Sequence, residues 1–383
     1  MKEIICNYLK KVKSYQYKKI NFRLLIYVLS LTILGINVIG SASGSSNMKK
    51  QILGMVLGLI ALTVMALIDY HFLLKLYVII YLFNIALLFL VRVMGKSGGG
   101  AMRWIKLPGG FQLQPSEFAK IFLILFFAKF IMKNYRKLNT LKIIIATLLL
   151  LAVPLGLIFI QPDLSTSILI VLLFCSIMFI AGISYKVVFS VIGIGVVVMS
   201  ALVIIIIKSP EEQNILKGYQ LKRIIGFYDE NSEYTDDLMY QQENSVIALG
   251  SGGLWGKGLN NNDSDSVKNG NYLYASHTDF IFAIIGEELG FVGCMATILL
   301  LFFIIVECFY TGAKAMDIGG KIIACSFGSL IAFQSVINMA VVTMLIPNTG
   351  LTLPFVSYGL SSLLSLYIGV GIILNISMQR KTL

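Results

Sequence analysis

The sequence predicts an all-α polytopic membrane protein with ten transmembrane helices, both termini in the cytoplasm and a large extracellular loop between helices 7 and 8. Of the 383 residues, 57% are hydrophobic and only 13% are charged, whereas soluble domains carry about 25% charged residues. Apolar stretches close to the roughly 20 residues that cross a bilayer recur along the chain. This composition excludes a disordered chain, a collagenous fibre and a small disulfide-stabilised domain.

Ten apolar stretches are long enough to cross a membrane, and they make the chain a single membrane domain, 1–383. Because backbone polar groups find no water in lipid, we expect each stretch to be helical. The stretches lie near 22–40, 51–68, 72–94, 115–132, 141–160, 164–182, 187–207, 279–309, 322–345 and 352–376. A cleaved signal peptide is the alternative for the first stretch, but the nine stretches that follow favour a retained anchor.

The distribution of Lys and Arg predicts the orientation. Eighteen of the 31 lie in the segments on the side of the termini, seven of them in 1–23, and only six lie in the short connections on the other side. Short cytoplasmic loops are enriched in Lys and Arg, so the termini are expected inside, with a basic cytoplasmic tail at 1–21. The net charge of +12 therefore reflects orientation, and no nucleic-acid partner is predicted.

The segment 208–277 is predicted to be a large extracellular loop, and it contains ten of the 19 acidic residues. Apolar positions in 238–249 are compatible with a short helix on the membrane, and a mobile acidic loop is the alternative. Its glycine-rich part, 250–258, resembles a phosphate-binding loop. However, Ser251 stands where the first Gly is required and Gly258 where Ser or Thr is required, so we predict no nucleotide cofactor.

Ionisable residues at the edges of the spans are the strongest candidates for function, because each is costly in lipid unless it is paired or wet. Glu117 and Lys120 are three residues apart and share a helix face. Asp163 and Asp279 each stand at the start of a predicted span, and helix capping is the alternative for these acids. All lie at the outer membrane face in the predicted topology, together with two cations of the preceding loop, Arg103 and Lys106.

A carboxylate beside cations suits the abstraction of a proton from a hydroxyl together with stabilisation of a departing phosphate. Outside a cell a nucleotide donor is scarce, so such a transferase needs a lipid-linked diphosphate sugar. Ion transport and the flipping of an amphiphile are the competing classes, since acids within spans also serve as ion relays. The residues alone leave these classes open.

Six motifs in this order resemble the SEDS family (shape, elongation, division and sporulation) and run from about residue 100 to 360. They are Arg103–Ile105, Gln114–Lys120, Gln161–Leu164, Ile247–Gly253, His277–Ala283 and Leu353–Gly359. The resemblance implies a multi-pass protein of the bacterial cytoplasmic membrane that polymerises lipid II into glycan strands on the outer face. It also implies a class B penicillin-binding protein as partner. A lipid II flippase and a non-catalytic scaffold for that partner are the alternatives.

The resemblance also implies residue roles. Asp279 corresponds to the essential catalytic Asp of the family and is assigned as the general base that deprotonates the acceptor sugar. Arg103, Lys106 and Lys120 are expected to contact the diphosphate. Glu117 and Asp163 are expected to orient Lys120 or, with Asp279, to hold a divalent cation, Mg²⁺ or Mn²⁺.

The chain departs from the family pattern in two places. Leu360 stands where a second Gly is usual, and Tyr274 to Ser276 replace a Pro-Glu pair, which removes one outer acid from a metal site. The segment 256–258 resembles elongation-type members, whereas 286–290 resembles division-type members. The sequence therefore leaves elongation, division and sporulation open as the cellular role.

Overall fold

The computed structural model describes residues 15–98, 101–106, 112–187, 189–190, 193, 200, 235–261, 266–270, 272–274 and 276–379. Within these residues the chain is predominantly helical. The helices are α1 (Phe22–Ser43), α2 (Ser45–Leu67), α3 (Tyr70–Lys75), α4 (Tyr77–Met94), α5 (Pro115–Asn134), α6 (Leu141–Ile160), α7 (Leu164–Ile180), α8 (Thr235–Ser251), α9 (Ile281–Ala313), α10 (Ile318–Val342) and α11 (Leu360–Met378). Short 3₁₀ turns occupy Tyr17–Lys19 and Tyr135–Lys137.

Among the described residues, six helices are long and apolar enough to cross a membrane, which makes the chain a multi-pass membrane protein. They are α1, α2, α6, α9, α10 and α11, and two shorter apolar helices are Tyr77–Val93 and Leu164–Ile180. Every predicted stretch within the described residues overlaps at least one helix. Most of the predicted span 187–207, most of the tail 1–21 and the part 208–234 of the predicted loop lie outside the described residues, so the count of ten spans, the orientation and the loop's location remain predictions.

Three local features differ from the prediction. The stretch 72–94 contains two helices, because the chain bends at Leu76 between α3 and α4. The last span begins at Leu360 instead of 352, since Pro354 and the positive φ of Phe355 interrupt helical geometry. Between α4 and α5 lies a small antiparallel sheet, which apolar periodicity does not reveal; its strands are β1 (Lys96–Gly98), β2 (Ala101–Lys106) and β3 (Gln112–Leu113).

The centre of the bundle is formed by α5, α10 and α11. In α10 and α11, 72% and 83% of the spanning window is buried, compared with 22% in α2 and in α6. The outer helices therefore present apolar side chains to lipid, while the central helices pack mainly against protein. A central helix can carry polar side chains only where neighbouring groups form hydrogen bonds with them. The polar residues of α5 and α10 lie at such positions.

Helix α9 is broken at Gly290, whose φ of 65° is left-handed. The backbone around the break pairs with the glycine-rich segment 252–258: Lys257 N donates to Glu287 O at 2.9 Å, and Phe291 N donates to Gly253 O at 2.9 Å. A Cβ at Gly290 would collide with the backbone of Gly256 and Leu254. Gly252, Gly256 and Gly290 therefore permit close backbone packing between this segment and α9.

A polar cluster links α3, α10 and α11 at the end of the bundle where α10 begins. His71 Nδ1 lies 3.0 Å from Asp69 Oδ1 and its Nε2 lies 3.5 Å from Asp317 Oδ2, while Tyr70 OH donates to Asp317 Oδ1 at 2.8 Å. Asn375 of α11 accepts from Tyr70 N at 3.0 Å. The hydrogen bonds to Asp317 and Asp69 raise the pKa of His71 to about 9, so the imidazole is charged at neutral pH.

The substitution His71→Gln is expected to lower the Tm by a few degrees at pH 6. Because the folded pKa is raised above the ordinary 6.5, the stabilisation is complete below about pH 6.5, declines up to about pH 9 and is absent above it. Thermal unfolding of the purified protein in detergent at pH 6, 8 and 9.5 measures this. A Tm difference from wild type that is independent of pH would contradict it.

Gly290→Ala is expected to lower the free energy of unfolding by about 2–3 kcal/mol or more, because alanine is strained at positive φ and its Cβ meets backbone. The matched control is Gly156→Ala, since Gly156 lies within α6 with no atom near an added Cβ. There alanine is expected to be neutral or stabilising by about 0.5–1 kcal/mol. Equal unfolding midpoints for the two variants would contradict the packing argument.

Candidate active site

Four helices begin close together at one end of the bundle: α5, α7, α9 and α11. Gln114 N, just before α5, donates to Ser361 Oγ in the first turn of α11 at 3.0 Å. Tyr358 N, just before α11, donates to His277 O, just before α9, at 2.9 Å. Helix N-termini each carry about half a positive charge, so this end is suited to anions. Side-chain caps are absent from α5, α9 and α11 in the described residues.

The first site pair joins Lys120 and Glu117 inside α5. Lys120 Nζ lies 2.9 Å from Glu117 Oε2 and donates to Gln334 Oε1 of α10 at 3.0 Å. The Lys120 side chain is 1% exposed and that of Glu117 is 7% exposed. An ammonium has three N–H donors, and among the described residues only Glu117 and Gln334 accept from it, so one donor is available for a ligand.

Asp279 lies in the turn before α9 and is tied to the same face of α10. Its carbonyl oxygen accepts from Asn338 Nδ2 at 2.8 Å, and Asn338 Nδ2 also donates to Leu351 O at 2.7 Å. Asn338 lies one helical turn beyond Gln334, which holds Lys120. Helix α9 begins at Ile281 and takes no side-chain cap. The hydrogen bond from Asn338 fixes the backbone of Asp279 against α10.

The second pair joins Asp163 and Arg103. Arg103 Nη1 lies 3.7 Å from Asp163 Oδ1, and Nη2 of the same guanidinium donates to Pro162 O. Asp163 caps α7 by accepting from Thr166 N at 3.3 Å, so the capping interpretation holds for this acid. Ser116 Oγ lies 3.4 Å from Asp163 Oδ2, which connects this pair to the residue preceding Glu117.

The structure thus brings together five of the six residues singled out in the sequence: Arg103, Glu117, Lys120, Asp163 and Asp279. The sixth, Lys106, ends β2, and its side chain lies outside the part of the chain that is described.

The imidazole of His277 lies beside this group, with its ring centroid 5.5 Å from that of Tyr358. Burial lowers the pKa of His277, so its ring is neutral at pH 7. The cations of the site are therefore Lys120 and Arg103 among the described side chains.

The amides that organise the site were missed by sequence reasoning, which considered ionisable residues only. Gln334 and Asn338 are four residues apart in an apolar span, so they share one face of α10. Both are buried, at 0% and 1% exposure, and a buried amide is expensive without partners. Two polar residues at this spacing in a membrane helix were the signal that could have found them.

Several buried polar atoms around the site have no partner among the described residues. They are Arg103 Nε, Asn338 Oδ1 and Thr349 Oγ1. Buried polar atoms in proteins are usually met by another group, by water or by a ligand. The site therefore has hydrogen-bonding capacity beyond what its own side chains use.

The residues do not fit a divalent cation as arranged. The carboxylate of Glu117 is bonded to Lys120, and that of Asp163 is bonded to donors on Arg103, Ser116 and Thr166. In the described residues no three His, Cys, Asp or Glu side chains are grouped so that they could hold a metal ion. A cation would have to displace these internal partners, because it needs several free oxygen ligands.

Comparison with known proteins gives consistent results over nearly the whole chain. A protein of Trichlorobacter lovleyi named probable peptidoglycan glycosyltransferase FtsW is 35% identical over 382 residues, which cover 96% of both chains. The protein of Bacillus subtilis with the same name is 35% identical over 386 residues, 97% of this chain and 93% of that one.

Solved structures share the fold. A chain from a peptidoglycan synthase complex that coordinates polymerization and crosslinking superposes with a TM-score of 0.76 at 26% identity, covering 94% of this chain and 97% of that one. The rod shape determining protein RodA of Thermus thermophilus superposes with a TM-score of 0.68 at 24% identity, covering 95% and 98%.

The family model described as cell cycle protein, which unites FtsW, RodA and SpoVE, matches residues 16–382. The residues of the site, the fold and these relatives agree: the chain belongs to the FtsW/RodA/SpoVE family, the SEDS family of membrane proteins.

Proposed function

We propose that the protein is a peptidoglycan glycosyltransferase that polymerises lipid II on the outer face of the cytoplasmic membrane. The observation that supports the proposal is that Asp279 and the buried Lys120 are both tied to one face of α10, through Asn338 and Gln334, at the end of the bundle where three uncapped helices begin. A carboxylate suits proton abstraction, while cations and helix N-termini suit a diphosphate. The relatives named peptidoglycan glycosyltransferase FtsW support the same enzyme class.

In the proposed reaction Asp279 accepts the proton of the acceptor sugar's 4-hydroxyl. The oxygen attacks the anomeric carbon of the donor sugar, and the bond from that carbon to the lipid diphosphate breaks. One displacement inverts the α-linked donor to a β-1,4 product. The departing diphosphate takes up the electron pair, and Lys120, Arg103 and the helix N-termini stabilise its negative charge.

In this proposal the acids of the two ion pairs, Glu117 and Asp163, position the cations. Glu117 orients the buried Lys120 before substrate binds, and Asp163 orients Arg103. Gln334 fixes Lys120 from the opposite side. Lys106, at the end of β2, is proposed to contact the diphosphate as well. Because the carboxylates are engaged in this way, no step is routed through a metal ion.

The proposed partner is a class B penicillin-binding protein, which would cross-link the glycan strand. The support is the similarity in fold to a chain of the peptidoglycan synthase complex. Outward orientation of the site is proposed from the excess of Lys and Arg in the segments on the side of the termini.

Asp279→Asn is expected to lower the rate of lipid II polymerisation by about 10²–10⁴-fold, because a general base contributes about that much. Purified variants are incubated with fluorescent lipid II, and glycan strands are resolved by gel electrophoresis. The control is Glu243→Gln, an exposed carboxylate of α8. Normal polymerisation by the Asn variant would remove Asp279 as base, and transbilayer movement of lipid II without polymer from the wild type would favour the flippase.

Lys120→Met is expected to abolish polymerisation and to reduce the free energy of unfolding by about 3–5 kcal/mol, because it leaves the buried Glu117 uncompensated. The double variant Glu117→Gln/Lys120→Met removes both charges, so most of the stability should return while activity stays absent. Thermal unfolding and the polymerisation assay together measure this. Recovery of polymerisation in the double variant would show that the cation is not needed for the diphosphate.

A further inference from the structure

The break at Gly290 divides α9 into two halves with different surroundings. From Ile281 to Glu288 every residue is buried. Beyond the break, Phe291 and Val292 are exposed at 58% and 44%, as expected for a lipid-facing surface. The first half is therefore an internal helix of about two turns, and Asp279 lies just before its first residue.

Glu287, at the end of the internal half, is completely buried and accepts three hydrogen bonds. Lys257 Nζ donates to Oε1 at 3.0 Å, Val267 N donates to Oε1 at 2.8 Å, and the backbone nitrogen of Lys268 donates to Oε2 at 3.2 Å. Two of these donors are backbone groups outside regular secondary structure. The carboxylate of Glu287 therefore fixes the backbone at 267–268 in addition to the side chain of Lys257.

Glu288, the next residue, is 1% exposed and ties the same segment to α1. Lys268 Nζ donates to Glu288 Oε1 at 2.6 Å, and Ser41 Oγ of α1 donates to the same oxygen. The ammonium of Lys268 also donates to Ser41 Oγ at 3.0 Å and to Asn261 O at 3.1 Å. Two carboxylates and two ammonium groups thus balance in charge inside the protein.

These contacts attach the segment from Lys268 to Asp279 to both ends of the internal half-helix. The chain leaves Lys268, held by Glu287 and Glu288, and returns to the start of the same half-helix at Asp279. Near that end Ser357 Oγ donates to Thr278 O at 2.7 Å. Both ends of the loop are therefore anchored, one by the glutamates and one by the segment before α11.

We infer that Glu287 and Glu288 are positioning residues for the carboxylate of Asp279, an inference that rests on the proposed role of Asp279 as general base. They act through the loop that runs from Lys268 to Asp279. Buried ion pairs contribute little net stability, but they specify one arrangement of the groups they join. A displacement of about 1 Å at a reacting group lowers a rate by about 10²-fold, so the anchoring of this loop bears directly on catalysis.

The first test compares Glu287→Gln and Glu288→Gln with Glu307→Gln, a buried glutamate in the second half of the same helix that contacts Asn21. The two site variants are expected to lower kcat for lipid II polymerisation by about 10–100-fold with little change in KM. Glu307→Gln is expected to leave kcat unchanged. Equal kcat values for all three variants would overturn the inference.

Charge reversal separates positioning from general stabilisation. Glu288 bonds to side chains only, so the double variant Glu288→Lys/Lys268→Glu should recover much of the kcat that Glu288→Gln loses. Glu287 also accepts from two backbone N–H groups, so Glu287→Lys/Lys257→Glu should recover none. Recovery by the second pair, or by neither pair, would contradict the contacts on which the inference depends.

A distance measurement reports positioning without using activity. Spin labels replace the exposed residues Tyr274 of the loop and Leu345 beyond α10, in a protein whose native cysteines are serine. Glu287→Gln should broaden the distance distribution, and Glu307→Gln should leave it narrow. If Asp279→Asn proves fully active, the proposed base is wrong while this measurement still decides whether the glutamates order the loop; an unbroadened distribution would overturn the inference even if Asp279 is essential.

Discussion

Two amides on α10 hold the polar end of this bundle together. Gln334 accepts from Lys120 and donates to Thr352 O at 2.9 Å, while Asn338 donates to the carbonyls of Asp279 and Leu351. Through them α5, the start of α9 and the segment before α11 meet on one helix face. Inside a membrane a buried amide must bond to protein, so the need to satisfy Gln334 and Asn338 gives this junction a defined geometry.

Non-helical backbone at this end of the bundle meets the same requirement that buried polar groups bond to protein. The segment 351–359 is non-helical, and its backbone groups bond to side chains of α10 and to Ser357. The break of α9 at Gly290 is likewise paired, by the glycine-rich segment. Irregular backbone at membrane depth is tolerated only where protein or water satisfies it. The irregular segments are thus concentrated where three uncapped helix N-termini and the two cations lie, an arrangement that favours an anion.

Much of the fold and part of the site could be predicted from the sequence. Apolar length located most of the described helices, although the first residues of α2 and α11 differ from the prediction by six and eight residues, since the bilayer sets the minimum length of a span and not its ends. The scarcity of charge singled out Arg103, Glu117, Lys120, Asp163 and Asp279 as candidates, because an ionisable residue near lipid is costly unless it is paired or hydrated. The small sheet at 96–113 and the break in α9 were not predictable in this way, because they depend on backbone pairing between segments that no local periodicity records.

The sequence by itself determined that this is a multi-pass membrane protein and which charged residues are candidates for its functional site, because hydrophobicity and charge act through local composition. Only the tertiary structure decided the partners of those charges. It assigned Asp163 to a helix cap and Lys120 to a pair with Glu117, and it placed Asp279 against Asn338 and Lys268 against Glu288. Such pairings join residues far apart in the chain, so they follow from how the helices pack and not from the spacing of residues along the sequence.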